Sequence, residues 1–90
     1  MKTISTSQLN AMLEKIVNAN PPPMIKGKRV KLRYAHFGAH NPPTIIIHGS
    51  FVEQLSATYK RYLSNSFQKH LKLVGTPVKV FFRSSHGVKT

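Results

Sequence analysis

Between Lys26 and Gly49 the chain reads KGKRVKLRYAHFGAHNPPTIIIHG, and no other stretch limits its fold as tightly. Arg29, Lys31 and Arg33 hold one parity while Val30, Leu32 and Tyr34 hold the other, so an extended backbone sends cations to one face and apolar side chains to the opposite one. Gly38, Asn41, Pro42 and Pro43 then mark a turn, and Thr44 to His48 forms a short β-branched run closed by Gly49. The segment predicts a basic strand and a buried strand lying antiparallel. Ile45 and Ile47 oppose Ile46, so one isoleucine parity lies outside the core and must be covered by something else or stay exposed.

The flanking segments supply the cover. Leu9, Met12, Leu13, Ile16 and Val17 form an i, i+3, i+4, i+7, i+8 stripe, which predicts an amphipathic helix from Ser5 to Asn20. Ser5 and Gln8 fit a capping box, and Pro21-Pro22-Pro23 ends the helix in a stiff spacer. Leu55, Tyr59, Tyr62, Leu63, Phe67, Leu71 and Val74 recur at helical spacing, predicting a second helix from Ser56 to about Leu73 with Gly75 as its terminator. Arg61, Asn65, Gln68 and Lys72 fall on its other face. After Thr76-Pro77, Val78, Val80 and Phe82 alternate with Lys79, Phe81 and Arg83 as a last strand. The order α-β-β-α-β predicts an α+β fold, a two-layer α/β sandwich with a three-stranded sheet and both helices on one face. Its ordered core spans residues 5–83 of one domain, about what a chain of 90 residues can fold around a single modest core.

Such a sheet has an outer face of Arg29, Lys31, Arg33, Lys79, Phe81, Arg83 and the spare isoleucine parity, a cationic surface with apolar islands. Parity sends Tyr34 and Phe82 to the core and Phe81 outward. Fourteen Lys and Arg against two acids, Glu14 and Glu53, leave most cations without an internal carboxylate, and a field of one sign favours a polyanion or an acidic protein surface as partner. Lys26, Lys28, Arg29, Lys31 and Arg33 lie within eight residues. Tyr34, Phe37 and Phe81 are the nearest aromatic candidates for ring faces beside them, the combination that single-stranded RNA requires.

Catalytic chemistry has little support. The chain has no aspartate and no cysteine, and its two glutamates sit on or before different helices. No P-loop occurs and no GXXG joins the helices, so neither a nucleoside triphosphate site nor the usual KH clamp is expected. His36 and His40 flank the predicted turn as polar turn residues or phosphate-contacting donors rather than metal ligands. His70 falls in the apolar arc of the second helix, where a partly buried histidine is expected, and His48 suits either a structural or a ligand-facing role. No apolar run is long enough to span a membrane and the start lacks a signal h-region, so the expectation is a cytoplasmic chain without a membrane or small-molecule partner.

The motifs KGKRVKLRYAHFGAHNPPTIIIHG, TYKRYL and LKLVGTPVKVFFR, with the leading STSQLN and PPP, resemble the C-terminal KH-like domain of the bacterial tandem-GTPase ribosome-assembly factors called Der or EngA. The resemblance runs from about Ser5 to about Arg83. It implies a KH-like α-β-β-α-β module without GXXG, separated from two GTPase domains that would hold GTP and magnesium. It further implies an rRNA partner in the large-subunit precursor and no enzymatic activity in this chain itself. Lys26 to Arg33 and the Tyr59-Lys60-Arg61-Tyr62 segment map to motif positions. With Lys79 and Arg83 of the outer face, these cations are the candidate RNA contacts. Ile46 and Phe81 are the candidate docking residues for the GTPase domains, the rival role being a domain that packs on them and relays their nucleotide state. A free-standing DNA-binding protein is a third reading.

Overall fold

Ser5 starts the first helix as expected. In the computed structural model, which describes residues 4–72 and 75–84, its hydroxyl accepts from the Gln8 amide while Gln8 Oε1 accepts from the Ser5 amide, closing the capping box at 3.1 and 2.9 Å. Helix α1 spans Thr6–Ala19 and buries Leu9, Leu13 and Ile16. Helix α2 spans Ala57–His70 and is capped by the Ser56 hydroxyl, which accepts from the Tyr59 amide. It buries Tyr59, Leu63 and Phe67. The helix ends before Gly75: Leu71 is its C-cap, and Lys72 takes the left-handed φ of 57°. His70 is exposed in the last turn rather than partly buried, and Leu73 and Val74 lie outside the described residues.

Strands β1 (Lys31–His40), β2 (Pro43–Ser50) and β3 (Lys79–Ser84) form one sheet in the order β1-β2-β3. The β1 and β2 strands are antiparallel and β3 is parallel to β2, reached through a one-turn 3-10 helix at Val52–Gln54 and then α2. Both helices cover the face that carries Ala35, Ile45 and Ile47, all fully buried, as the α/β sandwich requires. Val30 is buried below them, and Leu32, Phe37, Val80 and Phe82 pack around the rim. Among the described residues no helix is long and apolar enough to cross a membrane.

The basic strand differs from its expectation at both ends. Lys26 and Gly27 have φ of 52° and 75° and sit between Ile25 and Lys28, whose backbones exchange two hydrogen bonds of 2.9 Å. That is a tight turn of the I′ kind, so Lys26, Lys28 and Arg29 precede the strand instead of belonging to it. At the other end Gly38 and both histidines of the expected turn are strand residues, and only Asn41-Pro42 makes the reversal.

Two register shifts interrupt β1. Leu32 faces Gly49 and Tyr34 faces His48, leaving Arg33 as an extra residue; Phe37 faces Ile45 and Ala39 faces Thr44, leaving Gly38 as another. One inserted residue reverses the parity that follows it. Tyr34 therefore leaves the core side on which its alternation with Val30 and Leu32 would place it, and it is 48% exposed. The strands β2 and β3 keep their alternation, with Ile46 opposite Phe81 on the outer face.

Candidate nucleic-acid interface

The face of the sheet away from the helices is built by register. Across one row run Tyr34, His48 and Arg83, and across the next run His36, Ile46 and Phe81. Thr44 and Lys79 pair in the row beyond. The bulge at Arg33 is what brings Tyr34 and His36 to this face. Phe81 is 52% exposed, as its alternation predicts.

Three rings on this face associate. Tyr34 and His48 stack at 4.5 Å between centroids with planes 7° apart, and His36 meets His48 edge to edge, with centroids 4.9 Å and planes 21° apart. The Nε2 atoms of His36 and His48 are 2.8 Å apart, so one ring donates and the other accepts. His36 Nδ1 lies 3.3 Å from the Phe37 carbonyl oxygen; a proton there leaves His36 Nε2 as the acceptor and His48 Nε2–H as the donor. Burial pushes the His48 imidazole below its usual range, and the nearby charges of His36 and Arg83 push it the same way. This pairing gives His48 a structural partner on the outer face. It was hidden from sequence reasoning because it depends on a register that the bulge resets. His40, the other histidine of the expected pair, instead lies against Phe37 at 5.0 Å.

The nine candidate cations do not converge on one patch. Lys26, Lys28 and Arg29 are exposed in and after the tight turn, with Lys28 Nζ 5.1 Å from the Phe51 ring. Lys31 is exposed at the start of β1, opposite Ser50. Arg33 is exposed, and its Nε and Nη2 donate to the buried Ser50 hydroxyl at 3.4 and 3.2 Å. Lys60 and Arg61 lie on α2, Lys60 holding its ammonium 5.6 Å from the Phe82 ring. Lys79 and Arg83 share the outer face with Phe81. Neither carboxylate lies on a strand: Glu14 is on α1 and Glu53 in the 3-10 turn.

Two shallow grooves flank these elements. One, of about 330 Å³, runs between α1 and the start of β1 and is lined by Glu14, Asn10 and Arg33 among others. The other, about 380 Å³, lies along β3 between Lys60, Glu53 and Phe81. Among the described residues no three histidine, aspartate or glutamate side chains gather as a metal-binding group.

Sequence comparison places this geometry in a family. The family model described as the KH-domain-like of EngA bacterial GTPase enzymes, C-terminal, matches residues 3–83. The chain is 54% identical over 81 residues to GTPase Der of Thioalkalivibrio sulfidiphilus, covering 90% of this chain and 18% of that protein. It is 55% identical over 80 residues to GTPase Der of Hahella chejuensis and 52% identical over 83 residues to that of Legionella pneumophila strain Corby. Those alignments cover 89% and 92% of this chain but 17% and 18% of the relatives, so the chain spans under a fifth of their length. The chain belongs to the C-terminal KH-domain-like family of the EngA bacterial GTPases.

Proposed function

We propose that this chain is the rRNA-binding part of a GTP-hydrolysing factor that acts in assembly of the large ribosomal subunit in the cytoplasm. The observation that carries the reading is the one-signed surface. Fourteen Lys and Arg stand against two glutamates, both glutamates lie off the sheet, and the exposed cations at the tight turn, on α2 and on β3 face solvent. A surface of that sign attracts phosphates from a distance and holds them without sequence preference. GTP hydrolysis, with its nucleotide and magnesium, belongs to the GTPase domains that the relatives' name implies, outside this chain.

The test is binding to fragments of large-subunit rRNA across a salt series. If about five cations engage phosphates of single-stranded RNA, log K falls with log salt at a slope near −3.5. A flat salt dependence, or no binding at low salt, rejects the reading. A preference for duplex DNA over RNA moves the assignment to a DNA-binding protein.

A second reading has its own observation. Ile46 and Phe81 are neighbours on the outer face, and Phe81 is more than half exposed, an apolar strip of the kind that marks a contact. In that reading the face packs on the GTPase domains of the same protein and relays their nucleotide state.

A further inference from the structure

We infer that the outer face of the sheet is a stacking platform for unpaired RNA bases, with Tyr34 and Phe81 as its two base-contacting rings and Lys79 and Arg83 as its phosphate contacts. This rests on the RNA-binding reading and adds to it the place and the class of RNA. A KH domain that lacks GXXG lacks the clamp which holds nucleic acid between its helices, so another surface must do the binding.

The rings are placed for it. Tyr34 keeps one ring face against His48 at 4.5 Å, yet remains 48% exposed, so the rest of the ring is open to solvent. The His48–His36 hydrogen bond at 2.8 Å fixes the ring behind it, which lowers the entropy lost when a base arrives. Phe81 stands on β3, two strand spacings or about 10 Å across the sheet, in the adjacent row. Open sheets carrying exposed aromatics read single-stranded RNA in this manner, one base to a ring, because every base offers a π-face. Bases locked in a duplex cannot reach the rings.

Charge selects RNA over a protein as the occupant. The strand positions of this face carry the cations Lys79 and Arg83 and no acid; the carboxylate of Glu53 lines the groove at the edge beside Phe81. A protein partner would have to bring carboxylates to match those cations. RNA brings phosphates with its bases, satisfying the rings and the cations together.

The experiment compares the 90-residue chain with Tyr34→Ala, Tyr34→Phe and Phe81→Ala variants, binding a short oligouridine and an RNA hairpin with a fully paired stem. All three substitutions sit on exposed rings, and circular dichroism checks that each variant keeps the fold. Oligouridine is expected to bind more tightly than the paired stem. Either alanine variant weakens oligouridine about 5-fold to 100-fold with an unchanged salt slope, and Tyr34→Phe retains the affinity. If oligouridine binds but the alanine variants match the parent chain, or the paired stem binds as well as oligouridine, the platform is rejected while RNA binding stands. Under that result a loss of affinity for the GTPase domains in Phe81→Ala gives the face to them. If neither RNA binds at low salt, the RNA-binding reading falls and the platform with it.

Discussion

His36 Nε2 lies 2.8 Å from His48 Nε2 across the antiparallel pair, so the two imidazoles share a single proton between those nitrogens. A second proton, taken up on His36 Nε2, breaks the bond and sets an imidazolium beside His48 and Arg83. Burial, His36 and Arg83 all hold the His48 ring below 6.5. The sign of the linkage follows. In the window between the folded pKa and 6.5 the unfolded chain takes up a proton that the folded chain refuses, so stability falls as pH drops through that window and is fully present above it. Histidine ring NMR is expected to show His48 titrating below 6.5, and closer to it in His36→Ala, where one repelling charge is gone but burial remains. Titration of His48 at or above 6.5 in the parent chain would contradict the combined effect of burial, His36 and Arg83.

Asn10 docks α1 onto the open edge of β1. Its Oδ1 accepts from the Ala35 amide at 2.7 Å and its Nδ2 donates to the Ala35 carbonyl at 2.9 Å, standing in for the strand that the edge lacks. In Asn10→Ala both Ala35 backbone groups lose their partners in a partly buried site, at an expected cost of about 2 kcal/mol. Urea denaturation measures the loss, and amide exchange at Ala35 should quicken with it. Asn10→Asp keeps the acceptor but discards the donor, and is expected to fall between. A stability equal to the parent's in Asn10→Ala would mean that water replaces both bonds.

The helices, the Ser5–Gln8 capping box, the α-β-β-α-β order and the faces of β2 and β3 were legible in the sequence, whereas the end of α2 at Leu71 rather than at Gly75 was not. Each follows from one segment's own periodicity, as with Leu9, Leu13 and Ile16 on α1 or Val80, Phe81 and Phe82 on β3. The first strand was not, since its side chains are sorted by two extra residues, Arg33 and Gly38, whose presence depends on the partner strand. Alternation placed Tyr34 in the core, and the register placed it on the outer face. The turn at Lys26-Gly27 escaped for a local reason: its first position takes a positive φ on a lysine, without the asparagine or aspartate that usually announces such a turn. The Asn10 and His36–His48 contacts join residues 25 and 12 apart and have no signature in either segment.

Gly49 records how closely β1 and β2 approach next to the bulge. A Cβ built there falls 2.0 Å from the Lys31 carbonyl oxygen and 3.0 Å from Val52 Cγ1. Backbone cannot rotate aside, so Gly49→Ala is expected to cost about 3 kcal/mol or more, seen as a drop in the urea midpoint. Gly38→Ala is the control. Its Cβ meets side chains rather than backbone, Ile46 Cγ1 at 2.9 Å and Thr44 Cγ2 at an ordinary 3.9 Å, and the Ile46 side chain can turn outward on the exposed face. The expected cost there is under about 1 kcal/mol. Equal losses in the two variants would show that crowding at Lys31 is relieved by a small strand shift.

Tyr59 and Tyr62 fasten the end of α1 to α2. Their hydroxyls donate to the carbonyl oxygens of Asn20 and Ile16, each at 2.6 Å, just ahead of Pro21-Pro22-Pro23. Burial, with Tyr62 adding in the same direction, raises the Tyr59 phenol to about 12 from 10.0. Below pH 10 the phenol is protonated in both folded and unfolded chains and contributes its full stability. From pH 10 to about 12 the unfolded chain ionises first, so stability falls as pH rises. Tyr59→Phe is expected to be about 1 kcal/mol less stable at neutral pH, a modest loss because Asn20 is exposed and water can reach its carbonyl. The variant should also lose less than the parent between pH 10 and 12, so that the two stability curves converge at the alkaline end. Parallel curves across that range would place the alkaline transition in another group.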